Sequence, residues 1–405
     1  MRLTLLLIAL SACGVPTPED ARFETRRDAL DAVTNFGTNP GALRMYRYVP
    51  ANLEANRPVV VVLHGCGDTA NNFSTAWSTW STLADARRFS MVWPEQQASN
   101  NSGTCFNWFE AGDQLRDQGE LASVKQMVDR TITDTAGSTR WYVVGFSAGA
   151  ASATNLLAAY PDSIAAGAVA AGVAYKCATN VTEAFTCMGG SGGQTPATWA
   201  MRARLAYPTF SGAWPKVAVW QGLNDGTVVP SNRIELVEQF TALHGVDQTA
   251  DGTAAIASGG TRSFFKTAGG ETVVELDEVP GAGHTVRLGW ATDMADFFGL
   301  AAPATAGGAG GGSGTAGGGT AGGGNTAGGN TAGGADAAGG GETAGGSAGG
   351  SATAGGSATA GGGSVTTPAP GGCSSAPGDI TALLFLATAL TRRRDAQDRS
   401  APSRR

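Results

Sequence analysis

Short apolar runs alternate with stretches of helical periodicity through most of the first three quarters of the chain. Val59 to Leu63, Ser90 to Trp93, Trp141 to Val144, Ala165 to Ala170 and Val217 to Trp220 each end in a turn or loop. Such runs predict strands buried on both faces. Met45 to Val49 alternates and predicts an outer antiparallel strand, and Thr272 to Leu276 a late one. Between the runs, Leu121, Val124, Met127, Val128 and Ile132 fall at helical spacing within Gly119 to Thr135, so that helix packs one face on the sheet. Ser147 to Ala159 and Ser231 to Leu243 read as two more helices. The rhythm is that of an α/β domain: a mostly parallel sheet with helices on both faces.

Composition narrows the folded part. Of 405 residues, 42% are hydrophobic, but about half of the 61 glycines lie beyond residue 302. From 302 to 370 the chain is Gly, Ala, Thr, Ser and little else, which predicts a disordered tether, because nothing there can bury a core. The organisation expected is a signal peptide at 1–12, a short linker at 13–22, one folded catalytic domain at 23–301, the Gly-rich linker at 302–370 and a C-terminal segment at 371–405.

The ends carry targeting signals. Arg2 precedes an apolar stretch from Leu3 to Leu10, then Ser11, Ala12 and Cys13. This reads as an export signal. Its end resembles a bacterial lipobox, implying cleavage before Cys13 and lipidation there. Gly372-Cys373, an apolar Ile380 to Leu390 and Arg392 to Arg394 resemble the C-terminal sorting signals of myxobacterial surface proteins. That likeness implies processing near Cys373 and delivery to the cell surface, since the apolar stretch is well short of the roughly 20 residues a span needs.

Net charge is -6, and no basic cluster appears before the last residues, so nucleic acid lacks an electrostatic footprint. Membrane contact is expected only through the terminal anchors, and the domain is expected to act as a monomer. No CxxC or HxxxH spacing occurs and there are three histidines, so neither a metal site nor a cofactor is expected. Four cysteines lie inside the domain, and three pairings are open. Cys177 and Cys187 lie close enough to close a small loop, which leaves Cys66 to Cys105.

Candidate chemistry begins with GxSxG, which occurs three times. Gly189 to Gly193 around Ser191 has no strand before it, and Gly345 to Gly349 around Ser347 lies in the low-complexity tail. Only Gly145-Phe146-Ser147-Ala148-Gly149 follows an apolar strand and opens a helix. That is the setting of a nucleophile elbow in an α/β-hydrolase, so Ser147 is the expected nucleophile. His64-Gly65-Cys66 follows the Val59 run, where an HG turn aims a backbone N–H at an oxyanion; Cys66 and Ala148 are the expected donors. His64 is expected to be structural and His244 to cap a helix. His284, in a glycine-rich loop after the last strand, is the expected base. Asp225 follows the Val217 strand and falls between serine and histidine, the order this fold requires; Asp251 and Asp277 are rivals by order alone.

Leu63 to Cys66, Cys105 to Phe109, Gly119-Glu120, Gly145 to Gly149, Asn224 to Val228 and Gly283-His284 together resemble the polyhydroxybutyrate depolymerase family of esterases, similar to feruloyl and acetylxylan esterases. The resemblance spans about Met45 to Trp290. It implies the same triad, a serine carboxylesterase working through an acyl-enzyme, an ester substrate that extends to polymers, and a Cys66–Cys105 bridge holding the oxyanion loop. One departure is Cys66-Gly67-Asp68-Thr69, where polymer depolymerases commonly carry Cys-Thr-Gln; feruloyl, acetylxylan and small esters therefore stand as alternatives. Trp108, Phe109 and Trp290 flank the motifs and are expected to line a substrate groove. A peptidase or thioesterase on this fold would need a distinct substrate-binding insert, which the compact spacing does not suggest. A non-catalytic surface module would have no use for an intact Ser147, Asp225 and His284.

Overall fold

A computed structural model describes residues 30–257 and 259–300. The signal peptide with Cys13, the Gly-rich linker with Ser347, and the C-terminal segment with Cys373 lie outside the described residues.

Ten strands form one sheet: β1 (Asp31–Val33), β2 (Arg44–Tyr48), β3 (Val59–Leu63), β4 (Ser90–Glu95), β5 (Trp141–Phe146), β6 (Ile164–Ala170), β7 (Lys216–Gly222), β8 (Gly252–Ala255), β9 (Thr261–Lys266) and β10 (Thr272–Val279). Their order is β1-β2-β4-β3-β5-β6-β7-β10-β9-β8. The six central strands from β4 to β10 run parallel. Antiparallel strands close both edges. This is the mixed, mostly parallel sheet of an α/β-hydrolase.

Strand alternation divides the core in two. Val59, Val61 and Leu63 of β3 point into one cluster, and Val60 and Val62 into the other, because successive side chains leave a strand on opposite faces. The first face is covered by α3 (Gly119–Thr135), α4 (Ala148–Ala159), α6 (Pro196–Arg204) and α7 (Asn232–His244). The second is covered by α1 (Ala70–Ala76), α2 (Thr79–Arg87) and α8 (Leu288–Phe297). All twelve residues of α4 are buried, which explains its alanine content and that of β6. Gly167 of β6 leaves room for Leu157, whose methyl carbons would lie 2.8 and 2.9 Å from an added Cβ.

Two stretches depart from the sequence reading. The sequence reading names no strand over residues 252–266, which carry β8 and β9. Their mixed Gly, Thr and Ala pattern hides a strand that is exposed and paired on one side only. Between β6 and β7 the chain makes an excursion over residues 171–215 that holds α5 (Val181–Met188) and α6, neither of which the sequence reading names. It packs on the first turns of α4: Ala171, Val173, Ala178, Ala184 and Cys187 share a small buried cluster with Ala148 and Ala151.

Candidate active site

Ser147 sits between the end of β5 and the start of α4 with φ 56° and ψ -121°, a conformation that non-glycine residues rarely hold and that costs on the order of 1–3 kcal/mol. The turn is held from both sides: the Ser147 N–H donates to Ala170 O at 3.0 Å, and its carbonyl accepts from Ala151 N at 3.0 Å. The two flanking glycines are required by contact. A Cβ on Gly145 would run into the carbonyl of Gly149, and one on Gly149 into the carbonyls of Leu63 and His64. The sharp turn therefore exists only because strand, helix and the β3 loop touch backbone to backbone.

His284 reaches this serine from the loop after β10. Its Nε2 lies 2.8 Å from Ser147 Oγ, and its Nδ1 lies 2.8 Å from Asp225 Oδ2. A carboxylate only accepts, so Nδ1 carries the proton and Nε2 is left to take the serine hydroxyl's. Asp225 is fully buried at its side chain. Its Oδ1 accepts the N–H groups of Thr227 at 2.8 Å and Val228 at 3.0 Å, which fixes the carboxylate's direction. The acid and base loops are laced together by Asn224 N–H to Ala282 O at 2.9 Å and Gly281 N–H to Asn224 Oδ1 at 3.2 Å.

The β3 loop faces the same point. A Cβ on Gly65 would touch the Phe146 ring at 3.0 Å and Ser147 Cβ at 3.4 Å. Cys66 is disulfide-bonded to Cys105, and Gly67 N–H donates to Gly103 O at 2.8 Å, so two links pin this loop to the segment before Phe109. Cys177 is joined to Cys187 across α5.

Comparison with known proteins shows the family of the chain. The family model for esterase PHB depolymerase matches residues 43–266, more than half of the chain. The chain belongs to the esterase PHB depolymerase family. Among relatives, it is 47% identical over 257 residues to poly(3-hydroxyalkanoate) depolymerase C of Paucimonas lemoignei, covering 63% of this chain and 61% of that one. It is 32% identical over 299 residues to an acetylxylan esterase of Coprinopsis cinerea, covering 71% and 76%. The solved acetyl xylan esterase of Aspergillus awamori superposes with a TM-score of 0.61 at 29% identity, covering 67% of this chain and all of that one.

Several residues of this esterase-family site had no assigned place in its chemistry. His64, buried beneath the β3 loop, accepts Gln96 N–H on Nε2 at 3.1 Å, so its Nδ1 donates to Gly65 O at 2.7 Å. Burial pushes its pKa down. It makes no hydrogen bond to Ser147. His244 closes α7 against Pro215 O at 3.0 Å and is also lowered by burial. Glu120, in the first turn of α3, is buried and accepts Asn107 N–H at 2.8 Å and Gln96 Nε2 at 2.6 Å. Burial, and secondarily the Asp113 carboxylate, pushes its pKa well up against the pull of those donors. Phe146, the second residue of GxSxG, lies tilted against the imidazole of His284 with centroids 4.8 Å apart. Nothing in the motif flags that role.

The three aromatic groove residues fare differently. Trp290 is 1% exposed and packs on Trp220 at 5.0 Å in the second core, so it offers no face to a substrate. It was misplaced because its nearness to His284 in sequence is spent on the turn into α8. Trp108 and Phe109 are buried too, at 5% and 2%, but share the small cluster of Ala148 beside the nucleophile. Ser191 is exposed. Asp277 is bonded to Arg262 at 2.6 Å and not to histidine. Among the described residues no group of three or more His, Cys, Asp or Glu side chains is arranged to hold a metal ion.

Proposed function

We propose that the domain at 23–301 hydrolyses carboxylic esters through an acyl-enzyme, with Ser147 as nucleophile, His284 as base and Asp225 as the acid that fixes its tautomer. The carrying observation is the unbroken line of two 2.8 Å contacts from Asp225 through His284 to a serine on a strained elbow. The serine hydroxyl passes its proton to Nε2 as Oγ attacks the ester carbonyl; the same proton then goes to the departing alkoxide, and water repeats the cycle. The backbone N–H groups of Cys66 and Ala148 receive the charge on the carbonyl oxygen. Ala148 stands at the first turn of α4, where unpaired N–H groups favour an anion.

Poly(3-hydroxyalkanoate) is the first substrate class to examine, because identity to the depolymerase is 47% against 32% for the acetylxylan esterase. The full-length overlay on an acetyl xylan esterase supports acetylated, and by extension feruloylated, polysaccharide as the second reading. Export is part of the proposal: it rests on residues 1–12 and on two disulfides that suit an oxidising compartment. No helix of the described residues is long and apolar enough to cross a membrane. Release of acid from polyhydroxybutyrate film, acetylxylan and methyl ferulate, with Ser147→Ala as the blank, separates the readings. The polyester film is expected to give the highest rate, and no hydrolysis of any ester would end the proposal.

A further inference from the structure

The loop proposed to carry the oxyanion donor Cys66 is supported from below by one buried carboxylate. Glu120 lies on α3 and is 2% exposed, and it contacts none of Ser147, His284 and Asp225 through a hydrogen bond. From its carboxylate two chains of bonds lead to residue 66. On one, Oε1 accepts Gln96 Nε2 at 2.6 Å; the backbone N–H of the same Gln96 donates to His64 Nε2 at 3.1 Å, and His64 Nδ1 donates to Gly65 O at 2.7 Å. On the other, Oε2 accepts Asn107 N–H at 2.8 Å, and Gln96 Nε2 also donates to Cys105 O at 3.1 Å. Those bonds seat the segment whose Cys105 is bridged to Cys66. The Gly65 carbonyl and the Cys66 N–H belong to one rigid peptide plane. Whatever fixes the carbonyl therefore fixes the direction of the donor.

We propose that Glu120 is a positioning residue for the transition state, holding the peptide between Gly65 and Cys66 through Gln96 and His64 and the Cys66 side chain through the Cys105 segment. This rests on the reading of Cys66 N–H as an oxyanion donor. Its chemistry follows from the donor count. Two buried N–H groups, Gln96 Nε2 and the Asn107 backbone, fall on opposite oxygens of the carboxylate, and a side chain with a single acceptor oxygen leaves one of them facing no acceptor there. The loop then relaxes, and donor placement is sensitive on the scale of about 1 Å. Ground-state binding, which does not use the oxyanion contact fully, changes little.

The test compares the full chain with Glu120→Gln and Glu120→Asp. Three quantities are read: kcat and KM on a soluble p-nitrophenyl ester, the melting temperature, and the Kd of an alkylboronic acid. Ser147 Oγ adds to the boron while its proton passes to His284, giving a tetrahedral anion in the place of the oxyanion. Glu120→Gln is expected to lower kcat about 10- to 100-fold with KM within about twofold, and to raise the boronate Kd by a similar factor. Glu120→Asp, which keeps two carboxyl oxygens but on a shorter side chain, is expected to fall between. Should Glu120→Gln not fold, Glu120→Asp carries the same readouts. A folded variant with wild-type kcat and boronate affinity, or a rise in KM alone, overturns the positioning role while leaving the triad standing. Boronate that fails to bind the wild type, or that still binds Ser147→Ala, overturns the site reading itself and this proposal with it.

Discussion

The imidazole of His284 lies against the ring of Phe146 with centroids 4.8 Å apart and the planes tilted by 37°. The base is thus held by hydrogen bonding along its edge, from Asp225, and by an aromatic shelf along its face. The shelf is the residue immediately before the nucleophile, so the elbow sets both the serine and the plane of the group that deprotonates it. Phe146 is in turn stacked on Phe73 at 6.3 Å.

Phe146→Ala should therefore lower kcat about tenfold with KM within about twofold, because the ring keeps its bond to Asp225 but gains freedom about it. Steady-state kinetics on a soluble ester checks this. Unchanged kcat would mean that Asp225 alone orients the base.

Removing the Cys66–Cys105 bridge should impair catalysis as well as stability. The two cysteines are 39 residues apart, and closing such a loop in the unfolded chain is worth about 4 kcal/mol in the chain-entropy account. The double variant Cys66→Ser, Cys105→Ser should melt earlier and lose activity at temperatures where it is still folded. Loss of the Cys177–Cys187 bridge, with a separation of 10, should cost about 3 kcal/mol. Activity that tracks folded fraction alone in the first variant would show that the bridge does not hold the donor loop.

A buried acidic group under the base loop should make stability depend on pH in an unusual direction. Glu275 and Asp277 on β10 share one arginine, Arg262 on β9, at 2.9 and 2.6 Å, with Asp293 of α8 at 3.8 Å and Lys216 of β7 also acting on Glu275. Burial, only partly offset by Arg262, raises Glu275 from 4.5 and Asp277 from 3.8 to about 7 each. The folded state then binds protons that the unfolded state releases. This contribution to stability is full in acid, below the unfolded carboxyl values, and is lost as pH rises through about 7. Melting temperatures of wild type and Glu275→Gln measured from pH 5 to 8.5 should converge in acid and diverge in the variant's favour at high pH. Parallel curves would mean that Glu275 keeps its ordinary ionisation in the fold.

What the sequence made legible was whatever a strand or a helix repeats. β3, β5 and β7 announce themselves as apolar runs, and the runs name Gly65, Ser147 and Asp225 by being followed at once by turns. The bounds of α3 came from spacing alone. Contacts made across the fold were not legible. Phe146 occupies a position any residue fits in the motif, and its role depends on a loop 138 residues later. Trp290 read as a groove wall because burial is not visible in one residue's neighbours. Glu120 belonged to a recognised motif, yet its partners Gln96 and Asn107 come from a strand end and a loop that no local pattern joins. The helices over 171–215 were missed because α6 carries arginines, exposed Met201 and no clean stripe.

Cutting the chain after Ala301 should leave a soluble and active esterase. Among the described residues, the last buried apolar residue of the second core is Leu300, and the family match ends at 266. Activity on a soluble ester and the melting temperature should both stay near those of the full chain. Loss of either would show that residues beyond 301 complete the domain.

The most direct test of the account is to label the protein with a fluorophosphonate and locate the adduct by peptide mass spectrometry. One adduct is predicted, on Ser147, absent from Ser147→Ala and unchanged in Ser191→Ala. Because the three residues act as a unit, Ser147→Ala and His284→Ala should each lower kcat by about 10⁴–10⁶ without loss of the fold. An adduct on Ser191, or ester hydrolysis that survives Ser147→Ala, would contradict the assignment of this elbow as the catalytic centre.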